Sequence, residues 1–272
     1  MTSTALKIAA LILMLIDHIA EFIPGVPVQF HWLGRLSAPL FVFCMVWGLY
    51  YTHDRRKYLL RMYLFGLGMA VMDTALNMLF PHPYQLIVNN IFVTLFLIGA
   101  VVTIIESIKA NRKKGLLMLA GFIVFQAVST VLCTLSYSIP VPLPFFLAGA
   151  ILPNLLYSEG GVIFVLLGIL LYYSKGTKKS LTIGYGIFCI LYFIMTLSGA
   201  NGFIRMNAPA GQELRLLGYY LFNLNYQWMM VGALPLMLLY NGKKGRGMKY
   251  LFYIFYPLHI AILYLVGNLF IL

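Results

Sequence analysis

Long apolar stretches alternate with short polar segments along the whole chain. About 20 apolar residues in a row form a helix that crosses a bilayer, and nine stretches approach this length. Two further stretches, 143–157 and 214–224, are shorter, and Pro153 interrupts the first. The pattern predicts one integral-membrane domain over 1–272, an all-α polytopic transmembrane bundle of nine to eleven helices. The nine clearer helices are predicted at about 5–23, 35–52, 58–80, 86–107, 115–136, 159–174, 181–199, 226–241 and 249–271.

The composition excludes an ordinary soluble domain. Hydrophobic residues make up 62% of the 272 positions, charged residues make up 10%, and the mean hydropathy is +0.90. Soluble domains are about 45–50% apolar and about 25% charged. Insertion into a membrane is therefore the expected state of the whole chain.

The net charge of +12 has a pattern that assigns the sides of the membrane. Most of the 19 Lys and Arg residues fall in four alternate loops, at 53–57, 109–114, 174–179 and 241–249. Cytoplasmic loops of membrane proteins carry an excess of basic residues. The charge therefore predicts that these loops and the N-terminus are cytoplasmic, and it requires no nucleic-acid partner.

The first predicted helix contains the run LILMLIDHIAEF, which places Asp17, His18 and Glu21 within five residues. A charged side chain near the centre of a membrane helix costs roughly 2.5–3.5 kcal/mol. At 100° per residue the three side chains share one face, which must point into the bundle. His18 follows Lys7 by eleven residues, about 16 Å of helix, which is just past the midplane of a bilayer.

Other polar residues of the predicted helices fall at the same level, between the midplane and the outer face. Polar residues scattered independently have no reason to share a depth, whereas the lining of a polar cavity does. The sequence therefore predicts a polar cavity at this level, reached from both faces of the membrane. Its candidate lining residues are Asp73, Asn77, Asn89, Asn90, Glu159, Gln227 and His259.

Among these residues His18 is the candidate catalytic base, because an imidazole takes up and returns a proton near neutral pH. Asp17 or Glu21 is expected either to pair with Arg35 and hold two helices together, or to tune the imidazole. Arg35 has a second interpretation, contact with an anionic part of a substrate. Asp73, from a facing helix, or Glu21 is the candidate that orients His18.

The remaining histidines are less informative. His259 follows Pro257, which disrupts helical hydrogen bonding, and it is either a satisfied core residue or part of the cavity. His31, His53 and His82 are predicted at helix ends or in loops and are assigned no chemistry. The five histidines have no HxxxH or HExxH spacing, so no metal site is predicted.

Three segments of the sequence resemble the TraX family of bacterial inner-membrane proteins, which are named for the N-terminal acetylation of conjugative pilin. They are LKIAALILMLIDHIAEF, GRLSAPLFVFCMVWGLYYTHDRRKYLLRMYLFGL and YNGKKGRGMKYLFYIFYPLHIAIL. The resemblance covers the first seventy residues and the last thirty-five, and the middle of the chain matches only in hydropathy. The family is similar in turn to a wider group of transmembrane acyltransferases with about ten or eleven helices.

The resemblance implies a transmembrane acetyltransferase in a bacterial inner membrane, with acetyl-CoA as the donor and no metal. It implies that His18 is the catalytic histidine, that Asp17 is its associated neighbour, and that Arg35 and His259 line the site. The acceptor stays open and is a pilin N-terminus, a peptide, a glycan or a lipid headgroup. Side-chain amides such as those of Asn77, Asn89, Asn90 and Gln227 are suited to stabilise an oxyanion. The predicted partners of the coenzyme A phosphates are Arg55, Arg56, Lys57 and Arg61.

Two other function classes remain open at this point. The same intramembrane carboxylates and histidines suit the proton relay of a proton-coupled transporter or flippase. A non-enzymatic membrane chaperone for pilus or envelope assembly is the third class. Transporters commonly contain matched repeats with broken helices, and no internal repeat is visible in the sequence.

Overall fold

The computed structural model describes residues 1–82, 85–137, 143–207 and 211–270. These residues form helices joined by short connections, and no strand occurs among them, so the all-α prediction is confirmed. The helices are α1 (Ser3–Phe22), α2 (Gln29–Gly34), α3 (Ser37–Tyr51), α4 (Arg55–Leu79), α5 (Ile91–Ala110), α6 (Arg112–Tyr137), α7 (Leu143–Ile151), α8 (Gly161–Tyr173), α9 (Lys178–Asn207), α10 (Glu213–Tyr219), a π-helical turn (Tyr220–Leu224), a 3-10 helix (Gln227–Gly232), α11 (Ala233–Leu238) and α12 (Lys249–Leu269).

Six segments of the described residues are long and apolar enough to cross a membrane. Helix α1 has a similar length, 20 residues, but it carries the polar run that contains Asp17, His18 and Glu21. Most of the surface of α6 and α9 is exposed and apolar, as lipid contact requires. The six segments are Gln29–Tyr51, Arg55–Leu79, Ile91–Ala110, Arg112–Ser136, Lys178–Asn207 and Tyr250–Leu269.

The two ambiguous stretches are short helices next to irregular backbone. Helix α7 ends at Ile151, before Pro153, and turns lead from there to α8. The 214–224 stretch forms α10 and the π-helical turn. Irregular backbone at membrane depth is tolerated only where protein or a polar cavity covers it, so these breaks are expected to be covered by neighbouring helices or polar groups.

Three predicted helices begin later or less regularly than the sequence pattern suggests. Residues 85–90 are not helical, so Asn89 and Asn90 precede α5. Glu159 lies in the turn before α8, and the predicted 226–241 helix begins as a 3-10 helix. Asn77 explains the first difference, because its amide bonds the backbone N–H and carbonyl of Ile87 at 3.0 and 2.9 Å and thereby replaces helical backbone hydrogen bonds in that segment.

Contacts between loops bring the four basic loops to one end of the bundle. Arg55, at the start of α4, donates to the hydroxyl of Tyr172 near the end of α8 at 3.0 Å. Lys109, at the end of α5, lies 3.9 Å from the ring centre of the neighbouring Tyr173. The 241–249 loop reaches the same end through backbone bonds from Ser3 and Thr4 to Lys243 and Lys244, and through the packing of Tyr240 on Trp47. The shared end is consistent with the charge pattern; the side of the membrane that it faces stays a prediction.

Helix α1 is central to the packing and contacts α2, α3 and α12. Its contact with the short α2 depends on Gly34, which is buried. A methyl group on Gly34 would overlap the side chain of Asp17. The absence of a side chain at this position therefore lets α2 approach the polar face of α1 closely.

Substitution of Gly34 by Ala is expected to lower the free energy of unfolding, because the added carbon overlaps Asp17 and forces the two helices apart. Overpacking of this kind costs about 1–3 kcal/mol. Thermal unfolding of the purified protein in detergent measures the change.

The matched control is Gly121→Ala on α6, where an added carbon has no atom within 4 Å. That variant is expected to be as stable as the wild type or slightly more stable, because Ala favours helix over Gly. Equal stability of the two variants would show that the α1–α2 contact is looser than described.

Candidate functional site

A cavity of about 560 Å³ lies within the bundle, beside the second half of α1. It is bounded by α1, α2, the start of α3, the start of α5, the turn before α8 and the segment around residue 226. We call it the polar chamber. The predicted site residues that line it are Asp17, His18, Glu21, Arg35, Asn89, Glu159 and Gln227. The structure therefore brings together most of the residues that the shared depth singled out.

Asp17 is held by two cationic or hydrogen-bonding partners from the α2 region. Its Oδ1 lies 2.7 Å from Nδ1 of His31, and its Oδ2 forms an ion pair with Nη2 of Arg35. Arg35 also donates from Nη1 to Oε1 of Gln227 at 3.3 Å. Asp17 thus makes the interhelical pair that was one of its expected roles, and the pair fixes Arg35 in the wall of the chamber.

His31 is a site residue that sequence reasoning missed. The sequence predicts His31 at a helix end or in a loop and assigns it no chemistry. In the structure it lies in α2 and binds Asp17. Its ring stacks on Tyr226, with centroids 5.4 Å apart and planes within 13°. The separation of 14 residues between Asp17 and His31 across a turn gave no periodic signal that would have indicated this contact.

His18 is buried, and both of its ring nitrogens have neighbours. Its Nδ1 lies 2.7 Å from Nε2 of His259. Its Nε2 lies 3.3 Å from the amide nitrogen of Asn89 and 3.7 Å from Oε2 of Glu21, on the side of the chamber. Since Nε2 is the ring atom that faces the chamber, it is the atom placed to exchange a proton with a bound molecule.

The carboxylate of Glu21 accepts bonds from the Asn89 amide nitrogen at 3.3 and 3.1 Å. The other amide atom, Oδ1 of Asn89, is buried and has no hydrogen-bond partner in the described part of the chain. Glu159 enters the chamber from the turn before α8, where Gly160 adopts a left-handed φ of 72° that favours glycine. The lining therefore contains three carboxyl groups and only one guanidinium.

Asp73, Asn77, Asn90 and His259 are not among the residues that line the chamber, although all four were predicted to do so. Oδ1 of Asp73 is buried without a partner, and the ring nitrogens of His18 face other groups. Asn77 bonds the Ile87 backbone, and Asn90 donates to the carbonyl of Gly66 at 2.8 Å. The catalytic role of Asp73 stays a prediction that this geometry does not favour. Within the described residues, no group of three His, Cys, Asp or Glu side chains is placed to hold a metal ion.

The four residues expected to bind coenzyme A phosphates belong to the start of α4, at the basic end. Arg56 is exposed, and Lys57 lies 3.4 Å from Asp54, the N-cap of that helix. A hydrogen bond from the backbone N–H of Lys57 holds the pKa of Asp54 below its ordinary value. Arg61 lies over the ring of Tyr58, and its Nε is buried without a partner.

Lys175 joins the same end of the bundle. Its Nζ lies 4.0 and 3.8 Å from the ring centres of Tyr50 and Tyr172. Burial lowers its pKa below the ordinary value. Among the residues that the structure describes, aromatic rings surround this cation and no carboxylate lies at ion-pair distance.

The fold and the chamber together define a multi-pass membrane protein that encloses an ionisable polar site. The chain belongs to the TraX protein family, whose pattern matches residues 2–267. This result confirms the resemblance seen in the sequence and extends it over the middle of the chain. The family is linked in general to pilin acetylation.

The chain is also similar to the probable fimbrial assembly protein FimC, serogroup H1, of Dichelobacter nodosus. The two are 27% identical over 280 residues, which cover 95% of this chain and 92% of the relative. No solved structure matches the chain.

Replacement of Asp17 by Leu is expected to lower the free energy of unfolding by about 3–5 kcal/mol, because it leaves the Arg35 guanidinium without its partner inside the protein. Denaturant or thermal unfolding in detergent measures the loss.

The double variant Asp17→Leu/Arg35→Leu removes both charges and is expected to recover most of that stability. The double-variant cycle thus separates the ion pair from simple packing at Asp17. A single variant that unfolds like the wild type would contradict the view that this pair holds α2 on α1.

Proposed function

We propose that this protein transfers an acetyl group from acetyl-CoA to an amine or hydroxyl group of an acceptor that enters from the opposite face of the membrane. The observation that carries the proposal is the position of His18 Nε2, which faces a buried polar chamber inside the bundle. The family's general link to pilin acetylation supports the same reaction class. In this proposal His18 is the general base.

Unneutralised positive charge at the basic end supports an anionic donor such as acetyl-CoA. Arg55 is bonded to a tyrosine hydroxyl, Lys175 faces aromatic rings, and Nε of Arg61 is unpaired. Phosphate groups are suitable partners for such cations. Arg55, Arg56, Lys57 and Arg61 are the residues that would hold them, and the bound donor would supply an acetyl group activated as a thioester.

Carboxyl groups in the chamber favour a cationic acceptor, which points to an amine more than to a hydroxyl. Glu21 and Glu159 line the chamber in addition to Asp17, whose charge is matched by Arg35. The fimbrial relative and the family link support a pilin or a pilin-like peptide as the acceptor. A glycan or a lipid headgroup is the alternative acceptor.

The proposed proton path uses residues of this chain only, and it begins when a cationic acceptor gives one proton to the carboxylate of Glu21 or Glu159 and becomes a neutral amine. His18 Nε2 takes the proton of the attacking amine as the bond from nitrogen to the acetyl carbon forms. It then gives that proton to the sulfur as the carbon–sulfur bond breaks. Asn89 and Arg35, which both line the chamber, are the donors proposed to stabilise the negative charge on the acetyl oxygen. Asn77 and Asn90 do not serve here, because their amides bond backbone groups outside the chamber.

The variant His18→Gln is expected to lower kcat for release of coenzyme A about 10²–10⁴-fold, because a general base contributes an acceleration of that size. Release of the free thiol by purified protein in lipid nanodiscs, with acetyl-CoA and a short peptide amine, measures the rate.

The matched control is His82→Gln, since His82 is not among the residues that line the chamber. It is expected to retain the wild-type rate, and both variants must unfold at the wild-type temperature. Wild-type protein that neither binds nor consumes acetyl-CoA would refute the proposed function and favour a proton-coupled transporter that uses the same carboxyl groups.

A further inference from the structure

His259 meets His18 through a single hydrogen bond between the edges of the two rings. Nδ1 of His18 lies 2.7 Å from Nε2 of His259. The ring planes agree within 12°, and their centroids are 4.9 Å apart. These values describe two nearly coplanar imidazoles that meet edge to edge. Of the two nitrogens in contact, Nδ1 of His18 and Nε2 of His259, one donates a hydrogen bond and the other accepts it.

The other nitrogen of His259 decides which one donates. Nδ1 of His259 lies 2.7 Å from the carbonyl oxygen of Phe255. A carbonyl oxygen can only accept, so Nδ1 of His259 carries a proton, and in a neutral imidazole the second nitrogen then has none. The bond between the rings therefore requires the proton to be on Nδ1 of His18.

This assignment leaves Nε2 of His18 unprotonated. The neighbour of that atom within hydrogen-bond distance is the Asn89 amide nitrogen, a donor, at 3.3 Å, whereas the carboxylate of Glu21 lies farther away, at 3.7 Å. The hydrogen bonds that run from the Phe255 carbonyl through His259 and His18 to Asn89 therefore all have one donor and one acceptor. The free lone pair of His18 is the one that faces the chamber.

We propose that His259 is a positioning residue that holds His18 in the tautomer with a free Nε2 and shares its positive charge after that nitrogen takes a proton. The inference deepens the proposed acetyl transfer and rests on it for its catalytic part. When His18 has a proton on each nitrogen, its Nδ1 proton can move to Nε2 of His259, so that no proton is gained or lost by the pair.

A neutral imidazole in this position has a physical advantage at bilayer depth. A carboxylate in the same place would orient His18 equally well, but it would bury one more charge in the membrane, which is costly. The role that the sequence suggested for Asp73 thus falls geometrically to a group with no permanent charge.

The surroundings of His259 hold its ring in place. Its ring stacks on Phe255, with centroids 4.9 Å apart, and the edge of Tyr256 lies against it. Helix α12 approaches α1 closely at Gly267, where an added carbon would overlap the carbonyl of Phe22. The pair of rings therefore spans two helices whose separation is fixed by packing.

The tautomer of His18 is measured directly by nitrogen NMR of histidine-labelled protein in nanodiscs without substrate, with His18→Gln to assign the signals. The wild type is expected to have the proton of His18 on Nδ1. His259→Phe is expected to lose this preference, because no acceptor remains. His259→Gln is expected to keep it, because its side-chain oxygen accepts the same bond. Leu258→Ala, an exposed neighbour on α12, is the control and is expected to match the wild type.

Kinetic measurements on His259→Phe and His259→Gln distinguish a positioning role of His259 from a purely structural role. In a Ser-His-Asp triad, replacement of the Asp leaves the wrong tautomer and lowers kcat about 10⁴-fold. His259 is neutral, so His259→Phe removes no negative charge, and we expect a smaller loss of kcat, about 10²-fold. KM for acetyl-CoA is expected to stay near the wild-type value, and His259→Gln is expected to recover most of kcat.

A wild-type His18 with its proton on Nε2, or a His259→Phe protein with unchanged tautomer and kcat, would overturn the proposal. The NMR result does not depend on acetyl transfer. Wild-type protein without turnover therefore contradicts the proposed function, while the tautomer of His18 still decides whether His259 positions it.

Discussion

The Asp17 carboxylate inside the bundle needs partners, and the arrangement of the chamber follows from how it obtains them. An ionised group at bilayer depth is stable only when opposite charge and hydrogen bonds replace its water. Arg35 and His31 supply both from the short helix α2. This contact requires the close approach that Gly34 allows, and it directs Arg35 toward Gln227. One carboxylate thereby fixes two helices and one wall of the site.

The irregular parts of the backbone surround the same chamber. Residues 85–90, the turn before α8 and the segment around Tyr226 interrupt helices at the depth where polar side chains gather. Exposed peptide groups are not tolerated in lipid, so these breaks occur where side chains such as Asn77 bond the backbone, or where the chamber itself provides polar surroundings. The breaks and the buried ionisable residues thus have one common explanation.

Hydropathy and charge were enough to predict the helical membrane fold, and helical periodicity placed Asp17, His18 and Glu21 on one inward face. Of the ten polar residues that the depth argument placed at one level, six line the chamber. Depth alone did not identify which polar groups of equal depth touch, because that depends on helix rotation and on close approaches such as those at Gly34 and Gly267. His31 was missed for this reason, and the contact between His18 and His259 was not predicted.

Transfer across a sealed bilayer tests the central claim, that donor and acceptor meet at His18 from opposite faces. Purified protein is reconstituted into vesicles that contain a short peptide with a free N-terminal amine, and radiolabelled acetyl-CoA is added outside only. A chamber reached from both faces predicts that label accumulates on the enclosed peptide, and that His18→Gln prevents this. Label that appears only when peptide and acetyl-CoA share one compartment would contradict the claim.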